Sequence, residues 1–267
     1  MNFIKKIFSN ILSTILSFII LFVLLLIFIS TIGNLIDKKD KVEIEENTIL
    51  KIDLSVPIVE RAKDNPIELI NSSGDSPIEL KDVLMSIEKA KNDDRIKLIY
   101  LNFSEVSAGL SCIEEIRAKL VDFKTSGKQI IAYSNYYSQY SYLLCSVADK
   151  IYLNPNGFID LKGISASVVF FKNLLAKIGV ETQIIRKGQF KSAVEPFTQT
   201  KMSESSRLQT KLLIEDISKF MTNCINEERN IEVSKINNDI NELRLNSAVA
   251  CKKLNYIDDI LYEDQLK

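Results

Sequence analysis

The sequence has 267 residues, with 34 lysines and arginines against 35 aspartates and glutamates, for a formal net charge of −1. That balance, without a basic stripe interleaved with aromatic rings, excludes the usual nucleic-acid-binding profile. Histidine is absent, which excludes a Ser-His-Asp triad, a Cys-His dyad and histidine zinc sites within this chain.

Lys5 and Lys6 precede an uncharged run over residues 7–36. Its centre, residues 11–32, is long enough to span a bilayer at ~1.5 Å per residue. A cleavable signal peptide has a shorter apolar core and a small-residue cleavage site, and Thr31-Ile32-Gly33 is a poor one. Residues 1–36 therefore read as an uncleaved membrane anchor. Lys5 and Lys6 favour an inside N-terminus, against Lys38, Lys39 and Lys41 on the other flank. Residues 37–46 form a polar stalk, and residues 47–267 are long enough for one domain of about 200 residues.

Within that domain, residues 48–54 alternate like a first strand, and residues 61–75 read as a mobile loop rich in Asn, Ser, Asp and Gly. Ser76-Pro77-Ile78-Glu79 has the form of a capping box with proline at the first helical position. The helix after it puts Leu80, Val83, Leu84 and Ile87 on one face. Residues 96–103 form an apolar strand. Residues 110–125 form an amphipathic helix with Ile113, Ile116, Leu120 and Phe123 inward, ended by Gly127. A third strand follows at 129–133. This alternation predicts right-handed crossovers and a largely parallel sheet, hence an α/β fold.

Residues 136–148 read as a tyrosine-rich helix, 150–153 as a short strand, Pro155-Asn156-Gly157 as a turn and 158–164 as another short strand. A helix is predicted over 166–178 and a strand over 181–186. Ser203 opens a long helix with Leu208, Leu212, Ile217, Met221, Cys224 and Ile225 on its apolar face. Residues 230–241 are polar and fit no single pattern. Residues 247–254 look helical, and 256–260 look like a last short strand. No GxGxxG or P-loop pattern supports nucleotide binding. Cys112, Cys145, Cys224 and Cys251 are widely spaced without a CxxC pair and read as buried small hydrophobes.

Between the predicted strand at 181–186 and the helix opened by Ser203 lies Gly188-Gln189-Phe190-Lys191-Ser192-Ala193-Val194-Glu195-Pro196-Phe197. Gly188 permits unusual backbone angles, and Pro196 blocks simple continuation of a helix. Lys191 could be a catalytic base or an ordinary surface charge. As a base, a lysine must be the neutral amine, and an ordinary lysine at pKa ~10.4 is almost wholly protonated at pH 7. Apolar burial is what lowers such a value, and Phe190, Val194 and Phe197 are placed to supply it once a partner domain closes over the loop. Glu195 reads as holding the loop by ion pairing with Arg186 or Lys187. The tyrosines at 133, 136, 137, 140 and 142 read as packing residues rather than peptide-binding anchors, although their clustering beside the expected site leaves binding open.

The run Lys191-Ser192-Ala193-Val194-Glu195-Pro196-Phe197, followed by Met202-Ser203, resembles the signal peptide peptidase A or protease IV family of membrane-anchored Ser–Lys peptidases. Ala148-Asp149-Lys150-Ile151-Tyr152-Leu153-Asn154-Pro155 and Tyr137-Ser138-Gln139-Tyr140-Ser141-Tyr142-Leu143 look like further landmarks of that family. The resemblance implies a crotonase-like (ClpP/crotonase) α/β fold: parallel-sheet repeats with packed helices, after one transmembrane helix. It implies Lys191 as the general base, with no metal or organic cofactor. It also implies a single-pass protein of a bacterial inner membrane, with its catalytic domain on the exported side, cleaving signal peptides or other hydrophobic peptides.

Long family members place the base on a first domain and the serine on a second, and this chain resembles the first, lysine-bearing one. The nucleophile-bearing version of the 137–143 region has a Ser-Gly-Gly-Tyr-like element. Here Gln139 stands at the nucleophile position, with Ser138 and Ser141 out of register. The serine is then expected from a second domain, a partner chain or a homo-oligomer. The competing expectation is a catalytically inactive membrane-tethered binding or assembly domain.

Overall fold

The computed structural model describes residues 2–36, 44–61, 77–185, 187, 188 and 190–266. The chain separates into two units, Met1–Glu45 and Glu46–Lys267. In the first, helix α1 covers Asn2–Ile36. Its stretch Asn10–Phe28 is 19 residues and apolar, enough by length and composition to cross a bilayer, at ~28 Å for ~1.5 Å per residue. Most of the expected stalk, and the loop expected at 61–75 beyond Arg61, lie outside the described residues.

The second unit is built on a five-stranded, wholly parallel sheet. Its strands are β1 (Thr48–Ile52), β4 (Ile96–Leu101), β5 (Gln129–Ser134), β7 (Lys150–Leu153) and β9 (Asp259–Ile260), adjacent in that order. Each strand is added beside the previous one, as expected when each crossover returns the same way. Helices α2 (Leu80–Asn92) and α3 (Leu110–Lys124) are the crossovers from β1 to β4 and from β4 to β5. The core lies beneath them: Ile87, Ile113, Ile116, Leu120 and Phe123 from the helices meet Ile99, Leu101, Ile130, Ala132, Ile151 and Leu153 from the strands, all fully or almost fully buried. This is the alternation that a half-covered sheet requires. On its other face Ile49, Leu98, Tyr100 and Ile131 border an open groove of about 480 Å³ with Glu263 and Leu266 of α10 (Glu263–Leu266).

Two small parallel pairs flank the sheet, β2 (Ile58–Val59) with β3 (Ile78–Glu79) and β6 (Tyr137–Ser138) with β8 (Ile159–Asp160). The first overrules the expected capping box. Ile78 and Glu79 are strand, so the helix starts at Leu80 with Glu79 as its N-cap and no side-chain capping bond. The second shortens the expected helix over 136–148 to α4 (Gln139–Cys145). The turn at 155–157 needs glycine for a steric reason: a Cβ at Gly157 would stand 2.4 Å from the Asn135 carbonyl oxygen.

After β8 the chain leaves the sheet. The helix expected over 166–178 is only α5 (Lys172–Lys177), and the strand expected at 181–186 is not formed over its described residues 181–185. The chain returns in α7 (Glu204–Arg229), capped by Ser203 as expected. Met221, Cys224 and Ile225 of its apolar face are buried, but Leu208 and Leu212 are exposed, so only its C-terminal half joins the core. The ambiguous segment at 230–241 includes helix α8 (Val233–Asn241), followed by α9 (Ala248–Lys253) with Ser247 as N-cap. All four cysteines are buried free thiols.

Candidate active site

Gly188 has φ +108, a conformation that side-chain-bearing residues rarely adopt, and it turns the chain toward Lys191. Lys191 precedes a 3₁₀ turn, Ser192–Val194, which runs directly into the one-turn helix α6 (Glu195–Thr198). Pro196 thus sits in the first turn of a short helix, where its missing N–H costs no bond, rather than blocking one. The turn is fastened on two sides. On one, Phe171 donates its backbone N–H to the Pro196 carbonyl at 2.6 Å, and the Phe171 and Phe197 rings stack 6.1 Å apart. On the other, the Glu195 carboxylate accepts from the Ser203 backbone N–H at 3.1 Å and from its hydroxyl at 2.6 Å. The expected partner Arg186 lies outside the described residues, and Lys187 is exposed.

Lys191 is exposed at the wall of an open recess of about 600 Å³, with Ile185, Phe190, Val194 and Leu213 as apolar neighbours. Two of the three apolar residues expected around the lysine, Phe190 and Val194, are therefore there. Phe197 faces Phe171 instead. A second surface closing over this recess would supply the apolar burial that neutral-amine chemistry needs.

The segment aligned by resemblance with a nucleophile is built differently. Ser138 is the N-cap of α4, its hydroxyl accepting from the Ser141 N–H at 3.3 Å. The Gln139 amide oxygen accepts from the Lys162 backbone N–H at 3.0 Å. Ser141 is buried and donates its hydroxyl to the Ser104 carbonyl at 2.7 Å. Two of the neighbouring tyrosines are structural. Tyr137 donates to the Tyr152 carbonyl and Tyr142 to the Tyr256 carbonyl, both at 2.8 Å, and burial pushes both phenols well above their ordinary pKa. Tyr133 is buried too, while Tyr136 and Tyr140 are half-buried.

A second recess, of about 410 Å³, opens at the carboxyl ends of β1, β4 and β5, where parallel sheets commonly receive ligands. Asp53, Asn102, Ser104, Glu105 and Tyr136 are among its polar walls. Tyr136 donates its hydroxyl to Glu105, and this bond raises the phenol's pKa. The sequence reading missed this recess. Its only sequence signal is the cluster of polar residues directly after apolar strands, at Asp53, Asn102 to Glu105 and Asn135. Among the described residues, none lines both this recess and the lysine recess.

Residues 122–267, more than half of the chain, match peptidase family S49, and the chain belongs to that family. The matched span contains both α4 and the Lys191 turn. Among its relatives, Protease 4 of Haemophilus influenzae is 37% identical over 157 residues, which are 58% of this chain and 25% of that protein. Protease 4 of Salmonella typhi is 36% identical over 167 residues, 59% of this chain and 27% of the relative. The chloroplastic serine protease SPPA of Arabidopsis thaliana is 26% identical over 197 residues, 74% of this chain and 29% of the plant protein. The chain thus spans about a quarter of the length of the two bacterial relatives.

Proposed function

We propose that this chain is a membrane-anchored subunit of a serine-type endopeptidase, with a crotonase-like domain that carries the general base, Lys191. The serine nucleophile comes from a second domain, a partner chain or another copy. What supports this reading is the position of Lys191, at the wall of an apolar-lined recess on a pinned turn, in a chain of peptidase family S49. In the reaction the neutral lysine amine takes the proton of the incoming serine hydroxyl as its oxygen attacks the peptide carbonyl. Backbone N–H groups stabilise the resulting oxyanion, and the lysine returns the proton to the leaving amine. The substrates are extended hydrophobic peptides such as signal peptides, held by strand-like main-chain pairing. The anchor, α1, spans a bacterial inner membrane once, and the peptidase domain faces the exported side.

The experiment is to label membranes of the native host with a fluorophosphonate serine-hydrolase probe, comparing wild type with Lys191→Ala. The labelled chain is identified by mass spectrometry. Loss of a positioned base predicts labelling and peptide turnover reduced by about 10²–10⁴-fold. Label found on another polypeptide or domain supports the split site, whereas label on a serine of this chain means that the nucleophile is here. A folded, abundant protein with no Lys191-dependent label anywhere sinks the peptidase reading.

One observation favours a second reading, a non-catalytic membrane-tethered assembly domain. Ser138, Gln139 and Ser141 are each engaged in holding local structure. Stoichiometric co-purification with a partner, unchanged by Lys191→Ala and accompanied by no turnover, is its signature.

A further inference from the structure

The geometry points to Glu195 as a positioning residue for Lys191, acting through Ser203; this rests on the proposed role of Lys191 as the base. Among the described residues from 162 to 205, Glu195 is the one that is buried, at 2% exposure. It is a carboxylate surrounded in sequence by apolar and small side chains that remain exposed or half-exposed. A buried carboxylate is costly unless its oxygens are well bonded, so its place here is set by specific donors rather than by general packing.

Ser203 supplies two of those donors. Its backbone N–H reaches one Glu195 oxygen and its hydroxyl reaches the other. The same hydroxyl accepts from the Ser206 N–H at 3.2 Å and so caps α7. One serine therefore starts the longest helix of the second unit and holds the lysine turn to it. That helix is ~39 Å long for its 26 residues at ~1.5 Å each. At its far end the Cys224 carbonyl and the Glu228 carboxylate accept from Arg117, which also bonds α4. Only the 3₁₀ turn Ser192–Val194 separates the held carboxylate from Lys191. Fixing Glu195 therefore fixes where the Lys191 backbone leaves the turn. The stacking of Phe171 on Phe197, by contrast, ties the turn only to the start of α5.

The test uses the full chain in native membranes with whatever partner it carries, and compares Glu195→Gln, Ser203→Ala, their double variant and Ser203→Thr. Three quantities are read: peptide turnover resolved into kcat and KM, the pH profile of Lys191 acylation by an amine-reactive reagent followed by peptide mass spectrometry, and amide hydrogen exchange. Displacing a base by a fraction of an ångström to one ångström predicts a kcat lower by about ten- to a hundredfold in each single variant, with KM little changed. The double variant loses no more than either single one, because both break the same link. Ser203→Thr restores kcat to within about threefold, since threonine caps and donates similarly. The Lys191 acylation profile moves in Glu195→Gln and Ser203→Ala, and exchange rises over residues 192–206 but not in the sheet.

Exchange that rises while kcat and the Lys191 profile stay put overturns the proposal and leaves Glu195 a structural latch. If Glu195→Gln does not fold, Ser203→Ala, which keeps the backbone donor, decides by the same readouts. If wild type shows no turnover, the peptidase reading fails separately. The acylation profile then decides alone: a shift keeps Glu195 as the residue that positions Lys191, and no shift removes it.

Discussion

The sheet-bearing body of the second unit and the arm that carries Lys191 treat apolar side chains in opposite ways. In the body, Ile99, Ile113, Ile130 and Ile151 are sealed between strands and helices. In the arm, residues 162–205, Val169, Leu174 and Ile178 stand 66%, 55% and 63% exposed, and Leu208, Leu212 and Leu213 at the start of α7 are exposed as well. The arm is not short of hydrophobic residues. It lacks a layer of its own to bury them in. The difference is that the body buries its apolar side chains, whereas the arm, which carries Lys191, leaves many of its own exposed.

The strongest way to break the body side of this contrast is at Arg117. It is buried and donates to the Leu143 carbonyl at 2.9 Å and to the Ser146 hydroxyl and the Cys224 carbonyl at 2.8 Å, joining α3, α4 and α7. Arg117→Met removes these charged donors and the links they make between the three helices, with a predicted loss of about 3–5 kcal/mol in urea unfolding of the full chain in detergent. A loss under about 1 kcal/mol, the value of an ordinary single bond, would mean that the three helices are held together elsewhere. Tyr142→Phe is a gentler probe of the same core. It deletes the bond to the Tyr256 carbonyl at 2.8 Å and predicts a loss of about 1–2 kcal/mol by the same measurement.

The two regions also differ in how well the sequence forecast them. Where an apolar period had a surface to meet, the forecast was close: residues 110–125 became Leu110–Lys124, residues 150–153 became Lys150–Leu153, and Ser203 capped its helix. Where the surface is missing, propensity misled. Residues 181–185 have β-like composition but no neighbouring strand to satisfy their backbone groups, and so form no ladder. Ile78 and Glu79 had a helix-start signature, yet parallel pairing with Ile58 and Val59 prevailed, a long-range contact that no local pattern encodes. At the candidate site, Lys191 was legible only through its motif. The Glu195–Ser203 bond was not, because a carboxylate eight residues before a helix cap carries no periodic signal. The polar recess at the strand ends needed the sheet order before its residues could be seen together.

Alkali sharpens the contrast further. Burial pushes the Cys251 thiol from 9.0 up to about 11, and burial likewise raises Cys145, Tyr137, Tyr142 and Tyr256. All belong to the body, and residues 162–205 contain neither cysteine nor tyrosine. Between pH 9 and 11 an unfolded chain has lost the Cys251 proton while the folded chain keeps it. The unfolded state then binds fewer protons, and stability falls as pH rises across that window. Thermal unfolding at pH steps from 8 to 11 should show this decline, and Cys251→Ala should flatten part of it. An unchanged decline in that variant assigns the effect to the buried phenols and to Cys145 and Cys224.

The smallest predicted effect on folding is the most direct test of the arm. Ile178 is exposed immediately before Gly179, whose φ of +74 ends the α5 segment. Ile178→Ser removes an apolar side chain that the second unit does not bury, so its unfolding free energy should change by no more than about 0.5 kcal/mol. The same change removes exposed apolar surface from the arm that carries the proposed base, so association of the full chain in detergent, followed by sedimentation velocity, should weaken. Val169→Ser should behave in the same way and Ile113→Ser in the opposite one, collapsing the core. If Ile178→Ser instead cost as much as a core truncation, about 2–5 kcal/mol, the arm would be folded against its own body in solution. The division between a stabilising body and an arm that presents its lysine outward would then fail at its simplest point.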